Sequence, residues 1–326
     1  MSAAIEEKLA KIPVINWVAR FFKKIKMPAF EGMTLYDLLE MYVYGIIKGT
    51  LSTRASSIAF SLFMALFPLI IFLVTLLPFI IPYTTDADAN FDKEFLLFLE
   101  SFLPSATSDY FSDIYEQIKG QKQGGLLSST FAISIFLVAN GVNAIFSGFE
   151  NSYHVNLTRN FFRQYMYALM IGLMLSILLI IGAVAYGYFE FYVVEYLSES
   201  AKKQFGTGLE EGDIVGARIA KVVFFIILSY LTTAILYYFG TAEGKKAKFF
   251  SIGATTTTIL FVLTSYLFGV YVEKFARYNE LYGALGGLLI LMVFIWLNSN
   301  ILLLGFELNA TLNSVKKKFK RNEKPQ

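Results

Sequence analysis

Residues 281–306 read LYGALGGLLILMVFIWLNSNILLLGF, a stretch of 26 residues without a charged side chain. As an α-helix it is about 39 Å long, which exceeds the ~30 Å hydrocarbon core of a bilayer. Small or polar residues occupy two of its faces, one with Gly283, Gly287, Asn298, Gly305 and Asn309 and the other, nearly opposite, with Asn300 and Glu307. Because such faces require protein rather than lipid as a neighbour, the stretch predicts a membrane-spanning helix inside a bundle.

The composition of the 326-residue chain argues against soluble domains, since 56% of its residues are hydrophobic and only 16% are charged. Ordinary globular domains are roughly 25% charged. Cysteine is absent and His154 is the single histidine, which excludes disulfides, Cys-ligated metals, zinc clusters and His-based triads. No cofactor is expected. The first 50 residues carry charges throughout, so we expect no cleavable signal peptide.

The sequence predicts an all-α membrane protein with six transmembrane helices in a domain covering residues 55–310. The spans are expected at about 58–82, 126–146, 165–190, 222–239, 249–272 and 282–306. Residues 1–54 have broken apolar stripes beside lysines, typical either of amphipathic helices in the headgroup layer or of a cytoplasmic helical pair. Two more amphipathic helices are predicted in an acidic outer loop, residues 84–125, and a basic tail occupies residues 311–326.

Lysine and arginine are distributed unevenly between the two sides of this topology. The N-terminal segment, the connections at 147–164 and 240–248 and the C-terminal tail together hold 19 of the 28 basic residues. The long outer loop on the other side is acidic. By the positive-inside rule the basic side faces the cytoplasm, and six spans then place both termini there.

Polar, charged or small residues within or beside the spans form the candidate site, either as a polar path for a substrate or as contacts that pack the helices. They are Arg54, Ser61, Pro68, Asn140, Asn143, Arg159, Glu190, Gly283, Gly286, Gly287, Asn298, Glu307 and Asn309. Any single asparagine favours helix packing, whereas the set as a whole favours a cavity. Pro68 is expected to kink the first span, because proline removes one backbone donor.

Two carboxylates within this set have specific expected partners. Glu190 is expected either to pair with Arg218 or Lys221 near the outer surface, or to lie solvated beyond the headgroups. Glu307 is expected to accept hydrogen bonds from Arg159 or from the cytoplasmic asparagines rather than to carry a proton.

Four segments together resemble the YihY/BrkB family of bacterial membrane proteins. They are RASSIAFSLFMALFPLIIF (54–72), ANGVNAIFSGFENSYHV with the following Arg159 (139–159), LYGALGGLLILMVFIWL (281–297) and LLLGFELNA (302–310). The resemblance covers about 54–310 and weakens over the N-terminal 50 residues. It implies a six-helix protein of the bacterial inner membrane. It also brings an old ribonuclease label, a link to serum resistance and proposed roles in moving lipids or solutes.

The residue types in the sequence do not support a ribonuclease activity. RNA cleavage requires a metal cluster of carboxylates and histidines, or a general acid–base pair in an aqueous basic site, and the sequence has neither pattern. We therefore expect no enzyme and no nucleic-acid partner. The expected function is transport or translocation of a lipid, amphiphile or small solute through an inward-facing polar cavity. Membrane lipids are the expected partners, and an oligomer is compatible with the sequence. The alternative is a non-transporting envelope scaffold that acts through its outer loop.

Overall fold

The computed structural model describes six long segments of the chain and a few residues before them. These are residues 51–80, 124–152, 160–188, 211–241, 249–275 and 285–322, together with Thr34, Tyr36, Glu40, residues 42–44, Ile46 and Thr50. Most of the predicted N-terminal amphipathic segment and almost all of the predicted outer loop lie outside the described residues.

Each long segment contains one α-helix. The helices are α1 (Leu51–Ile80), α2 (Gly124–Glu150), α3 (Phe161–Tyr188), α4 (Glu211–Gly240), α5 (Ile252–Phe275) and α6 (Leu285–Asn322). All six are long and apolar enough to cross a membrane, which confirms the prediction of an all-α, six-span membrane protein. Local chemistry sets the start of α5, where the Ser251 Oγ accepts a hydrogen bond from the amide of Ala254 at 3.2 Å, as an N-cap does.

The last helix continues well beyond residue 306, where the sequence pattern placed the end of the final span. The 38 residues of α6 make it about 57 Å long, considerably longer than a hydrocarbon core. Packing supports the extension, because Ala310, Leu312 and Val315 are buried. α6 therefore reaches past the membrane boundary while still in contact with the rest of the bundle.

The helices form a closed ring in chain order, because each packs against the next and α6 packs against α1. The pair α1 and α2 illustrates the antiparallel arrangement. Arg54 near the start of α1 contacts Gly148 near the end of α2, and Ser134 earlier in α2 donates to the carbonyl of Pro68 further along α1. The inner side of α2 also touches α4 and α6 across the ring.

The main core lies at one end of the ring, where α1, α3 and α5 begin and α2 and α4 end. We call this the packed end, and all six helices contribute buried side chains to it. The ring of Phe149 stacks on that of Phe306 at a centroid distance of 4.1 Å and meets that of Tyr237 edge-on at 5.6 Å. Because lipid tails are as apolar as these rings, close packing rather than the hydrophobic effect stabilises this core.

α5 and α6 cross closely at Gly253 and Gly305, beside Tyr237 of α4. The Tyr237 hydroxyl lies 2.6 Å from the Thr257 hydroxyl and donates to the carbonyl of Leu302 at 2.6 Å. A Cβ on Gly305 would lie 2.6 Å from the Tyr237 hydroxyl and 2.8 Å from the carbonyl oxygen of Gly253. The crossing therefore requires glycine, as close contacts between membrane helices often do.

Candidate functional site

A buried ion pair joins three helices at the packed end. Nη2 of Arg54, in the first turn of α1, donates to Oε1 of Glu307 in α6 at 2.7 Å, and the two side chains are 6% and 0% exposed. Nη1 of Arg54 donates to the Gly148 carbonyl at 2.7 Å, and Ser152 donates to Oε2 of Glu307 at 2.8 Å. The carbonyl of Gly148 is in the last turn of α2, where the helix dipole favours a cation.

The N-terminal segment adds a fourth contact beside this pair. The hydroxyl of Tyr42, which lies outside the candidate spans, donates to the carbonyl of Leu304 at 3.0 Å. Burial, and secondarily the negative charge of Glu307, raise the pKa of Tyr42 to about 12. Tyr42 therefore lies close enough to the carboxylate to sense its charge.

A second polar cluster links α2 to α3 at the same end of the ring. With its amide oriented to satisfy both neighbours, Gln164 donates to Oε2 of Glu150 at 2.9 Å and accepts from the Ser147 hydroxyl at 2.9 Å. Glu150 and Gln164 are both buried. Among the described residues no group of three or more His, Cys, Asp or Glu side chains could hold a metal ion. The two clusters therefore join helices through hydrogen bonds and charge.

The structure brings together two of the predicted site residues, Arg54 and Glu307. The sequence pattern pointed to Arg159 or the asparagines as partners for Glu307, and its described partners are Arg54 and Ser152. Arg159, Glu190 and Gly283 lie outside the described residues. Ser152 and Gln164 were not predicted, because neither residue type at a helix boundary differs in sequence from an ordinary solvated side chain.

The predicted asparagines differ in what they bind. Asn309 binds α5, accepting from the Gly253 amide at 2.8 Å and donating to the Ser251 hydroxyl at 2.9 Å. Asn298 donates to the Phe294 carbonyl of its own helix at 2.8 Å, so its amide needs no ligand. Of the remaining predicted residues, Gly286 and Gly287 are buried and Asn140 is exposed. Ser61, Pro68 and Asn143 are half-buried.

Away from the packed end, α4 loses its neighbours along one stripe of its surface. The stripe is buried near the packed end, where Tyr237 is 5% and Thr233 is 1% exposed. Further along the same stripe, Ile226, Val222 and Ile219 are 36%, 47% and 58% exposed. This stripe of α4 therefore loses its cover toward the opposite end, while Phe224 and Phe225 on another side of α4 remain packed against Tyr186 of α3.

α5, which packs against α4, shows a similar change. Ala254 and Thr258 near the packed end are buried, whereas Ser265, on the same side of the helix, is exposed. A Cβ built on Gly269 would meet no atom within 4 Å. We give the name α4–α5 groove to the two stripes that lose their cover, formed by Ile219, Val222 and Ile226 of α4 and by Ser265 and Gly269 of α5.

Comparison with protein families shows to which family the chain belongs. The family model of the virulence factor BrkB matches residues 43–326. The chain belongs to the BrkB family. Among the relatives of this BrkB-family chain is the ribonuclease-like protein YfkH of Bacillus subtilis, which is 29% identical over 217 residues, or 63% of this chain and 72% of YfkH.

Membrane proteins described as UPF0761 are also similar, over shorter stretches. The protein of Aromatoleum aromaticum is 34% identical over 104 residues, covering 32% of this chain and 25% of the relative. The protein of Tolumonas auensis is 41% identical over 61 residues, covering 19% and 20%. No solved structure matches the chain. The chain is thus a multi-pass membrane protein of the BrkB and UPF0761 group.

Proposed function

We propose that the chain is a translocase of lipids or other amphiphiles, with the α4–α5 groove as the place where the substrate's apolar part binds. The observation that carries the proposal is the loss of burial along the α4 stripe. A helix stripe that is packed at one end and exposed at the other offers an apolar surface that a wedge-shaped opening within the membrane would have. The helix walls of that opening carry Ile219, Val222 and Ile226, which suit acyl chains better than hydrated solutes.

The packed end supplies the closed side of such a transporter. Its aromatic core and the Arg54–Glu307 pair leave the helices in contact there, so a substrate in the groove reaches only one side of the membrane in this conformation. By the positive-inside rule the packed end is cytoplasmic and both termini lie in the cytoplasm. The groove then opens toward the outer leaflet of the inner membrane.

The proposal includes no catalytic chemistry and no nucleic-acid partner. Hydrolysis of RNA requires carboxylates or bases that reach water and substrate. The two buried carboxylates at the packed end are instead enclosed, Glu307 by Arg54 and Ser152 and Glu150 by Gln164. The ribonuclease-like name of YfkH belongs to that relative.

Translocation is measured with the purified full-length chain in liposomes that contain a fluorescent phospholipid in both leaflets. A membrane-impermeant quencher then reports how fast the inner-leaflet label appears outside. Ile226→Trp places a larger side chain in the groove, and we expect it to lower the rate about tenfold, since excluding the acyl chain at a cost of about 1.4 kcal/mol slows a step by that factor. The matched control is Ile181→Trp, at an exposed position of α3, which we expect to leave the rate unchanged.

Three results would contradict the proposal. One is a rate in protein-containing liposomes that equals that of empty liposomes over a panel of phospholipids and other amphiphiles. Such a result would favour the envelope scaffold. The second is an equal effect of the two tryptophans, since the groove would then have no special role. The third is an unchanged rate with Ile226→Trp.

A further inference from the structure

The outer side of α2 carries amide side chains that have no hydrogen-bond partner in the part of the chain that the structure describes. The inner side of this helix turns Phe146 and Phe149 into the core. Its flanks meet α1 at Gly141 and α3 at Gly172. On the remaining side Ile133, Phe136 and Asn140 are exposed and Asn143 is half-buried. We call these four residues the outer face of α2.

Neither Asn140 nor Asn143 forms a hydrogen bond with any described residue. Asn298 and Asn300, by contrast, both donate to carbonyls of their own helix at 2.8 Å. The outer face therefore has hydrogen-bonding capacity that this single copy does not use.

The depth of Asn140 restricts what can satisfy it. The candidate span of α2 is Phe131–Glu150, and Asn140 is near its middle, about 14 Å from either end at 1.5 Å per residue. Lipid headgroups and bulk water lie at the ends of such a span. An amide facing hydrocarbon without a partner costs several kcal/mol. The occupant of this face must therefore bring its own polar group into the middle of the membrane.

We propose that the occupant is a second copy of this chain, with Asn140 of each copy facing Asn140 of the other. Two copies inserted in the same orientation are related by a two-fold axis along the membrane normal, which places identical residues opposite each other. An amide is both donor and acceptor, so an asparagine can pair with its own copy. The exposed side chains of Ile133 and Phe136 supply the apolar surface that packs around this pair.

Cysteine cross-linking tests the geometry, because the natural chain contains no cysteine. Phe136→Cys keeps Asn140 in place and introduces a thiol on the outer face of α2. Leu263→Cys, at an exposed position of α5, is the matched control. In native membranes under oxidising conditions we expect a covalent dimer with Phe136→Cys and none with Leu263→Cys. Absence of the Phe136→Cys dimer, or equal cross-linking at both positions, would overturn the proposal.

The strength of self-association tests the role of the amide. Full-length chains carrying donor and acceptor fluorophores are diluted with lipid in liposomes, and energy transfer reports the dimer fraction. We expect Asn140→Leu to weaken the dimer about fivefold to thirtyfold, the equivalent of the 1–2 kcal/mol found for polar pairs between membrane helices. Asn300→Leu is the control, since Asn300 bonds its own backbone, and we expect no change. A monomer at every dilution, no effect of Asn140→Leu, or an equal effect of the control would refute the inference.

Discussion

The buried pair of Arg54 and Glu307 makes a quantitative prediction about stability. Removing the charge of one partner leaves the other charge buried, since the side chains are 6% and 0% exposed. Glu307→Gln leaves the guanidinium without a counter-charge, and Arg54→Met leaves the carboxylate with the Ser152 hydroxyl. We expect each single substitution to lower the free energy of unfolding by about 3–5 kcal/mol.

The double variant should recover most of this loss. With Met at both positions no charge remains buried, and apolar replacements of an ion pair are often close to neutral. The Ser152 hydroxyl and the Gly148 carbonyl lose their partners, which costs about 1–3 kcal/mol. The double variant is therefore expected to lose less free energy of unfolding than the two single variants combined. It should also lose less than a typical single variant.

The measurement is equilibrium unfolding in mixed micelles for the wild type, Arg54→Met, Glu307→Met, Glu307→Gln and Arg54→Met/Glu307→Met. Ser176→Ala is the control, because Ser176 bonds only the Gly172 carbonyl of its own helix, and we expect it to change stability by less than about 0.5 kcal/mol. Single effects that add within about 0.5 kcal/mol in the double variant would refute the reasoning, because additive effects mean that the two charges do not interact.

Two further predictions concern the glycine crossing and the N-terminal segment. Gly305→Ala should destabilise the chain by at least about 3 kcal/mol in the same unfolding assay, because the new Cβ meets the Tyr237 hydroxyl and the neighbouring backbone. The control Gly269→Ala adds a Cβ that meets no atom within 4 Å, so it should be neutral or stabilise by up to about 1 kcal/mol. Equal effects of the two substitutions would contradict the close crossing of α5 and α6. Because the pKa of Tyr42 is raised to about 12, its contribution to stability is present below the ordinary tyrosine pKa of about 10 and lost as the pH rises from about 10 to 12. Tyr42→Phe should therefore remove a late component from a phenolate absorbance titration and flatten the difference in stability over that pH range. A titration identical to that of the wild type would contradict the burial of the Tyr42 hydroxyl.

The number of the membrane helices followed from local properties of the sequence. A charge-free run longer than the hydrocarbon core predicts a span wherever it occurs, because the backbone must satisfy its own hydrogen bonds in lipid. The end of α6 did not follow in the same way. Residues after 306 become more polar, yet Ala310, Thr311 and Val315 remain buried, so contacts with other helices, rather than the local sequence, extend α6.

Predicting the partner of Glu307 requires knowing that α6 packs against α1 and closes the ring of helices. Arg54 and Glu307 were both candidates from the sequence, but 253 positions separate them. No local pattern states that α6 returns to pack on α1. Once that contact exists, the positions of both residues near the packed end bring the charges together. The sequence therefore identified the charged residues, and the tertiary fold determined their pairing.

The asparagines of α2 show a second limit, which is specific to membrane proteins. A helical wheel states which residues share a face, but not whether that face points into the bundle, because both the core and the lipid are apolar. The asparagines of α2 were expected to pack against protein or to line a cavity, since unsatisfied amides are costly in lipid. The structure places Asn140 on the side away from Phe149 and leaves it exposed. The face of Asn140 can point away from the bundle and still contact protein if that protein is another copy of the same chain.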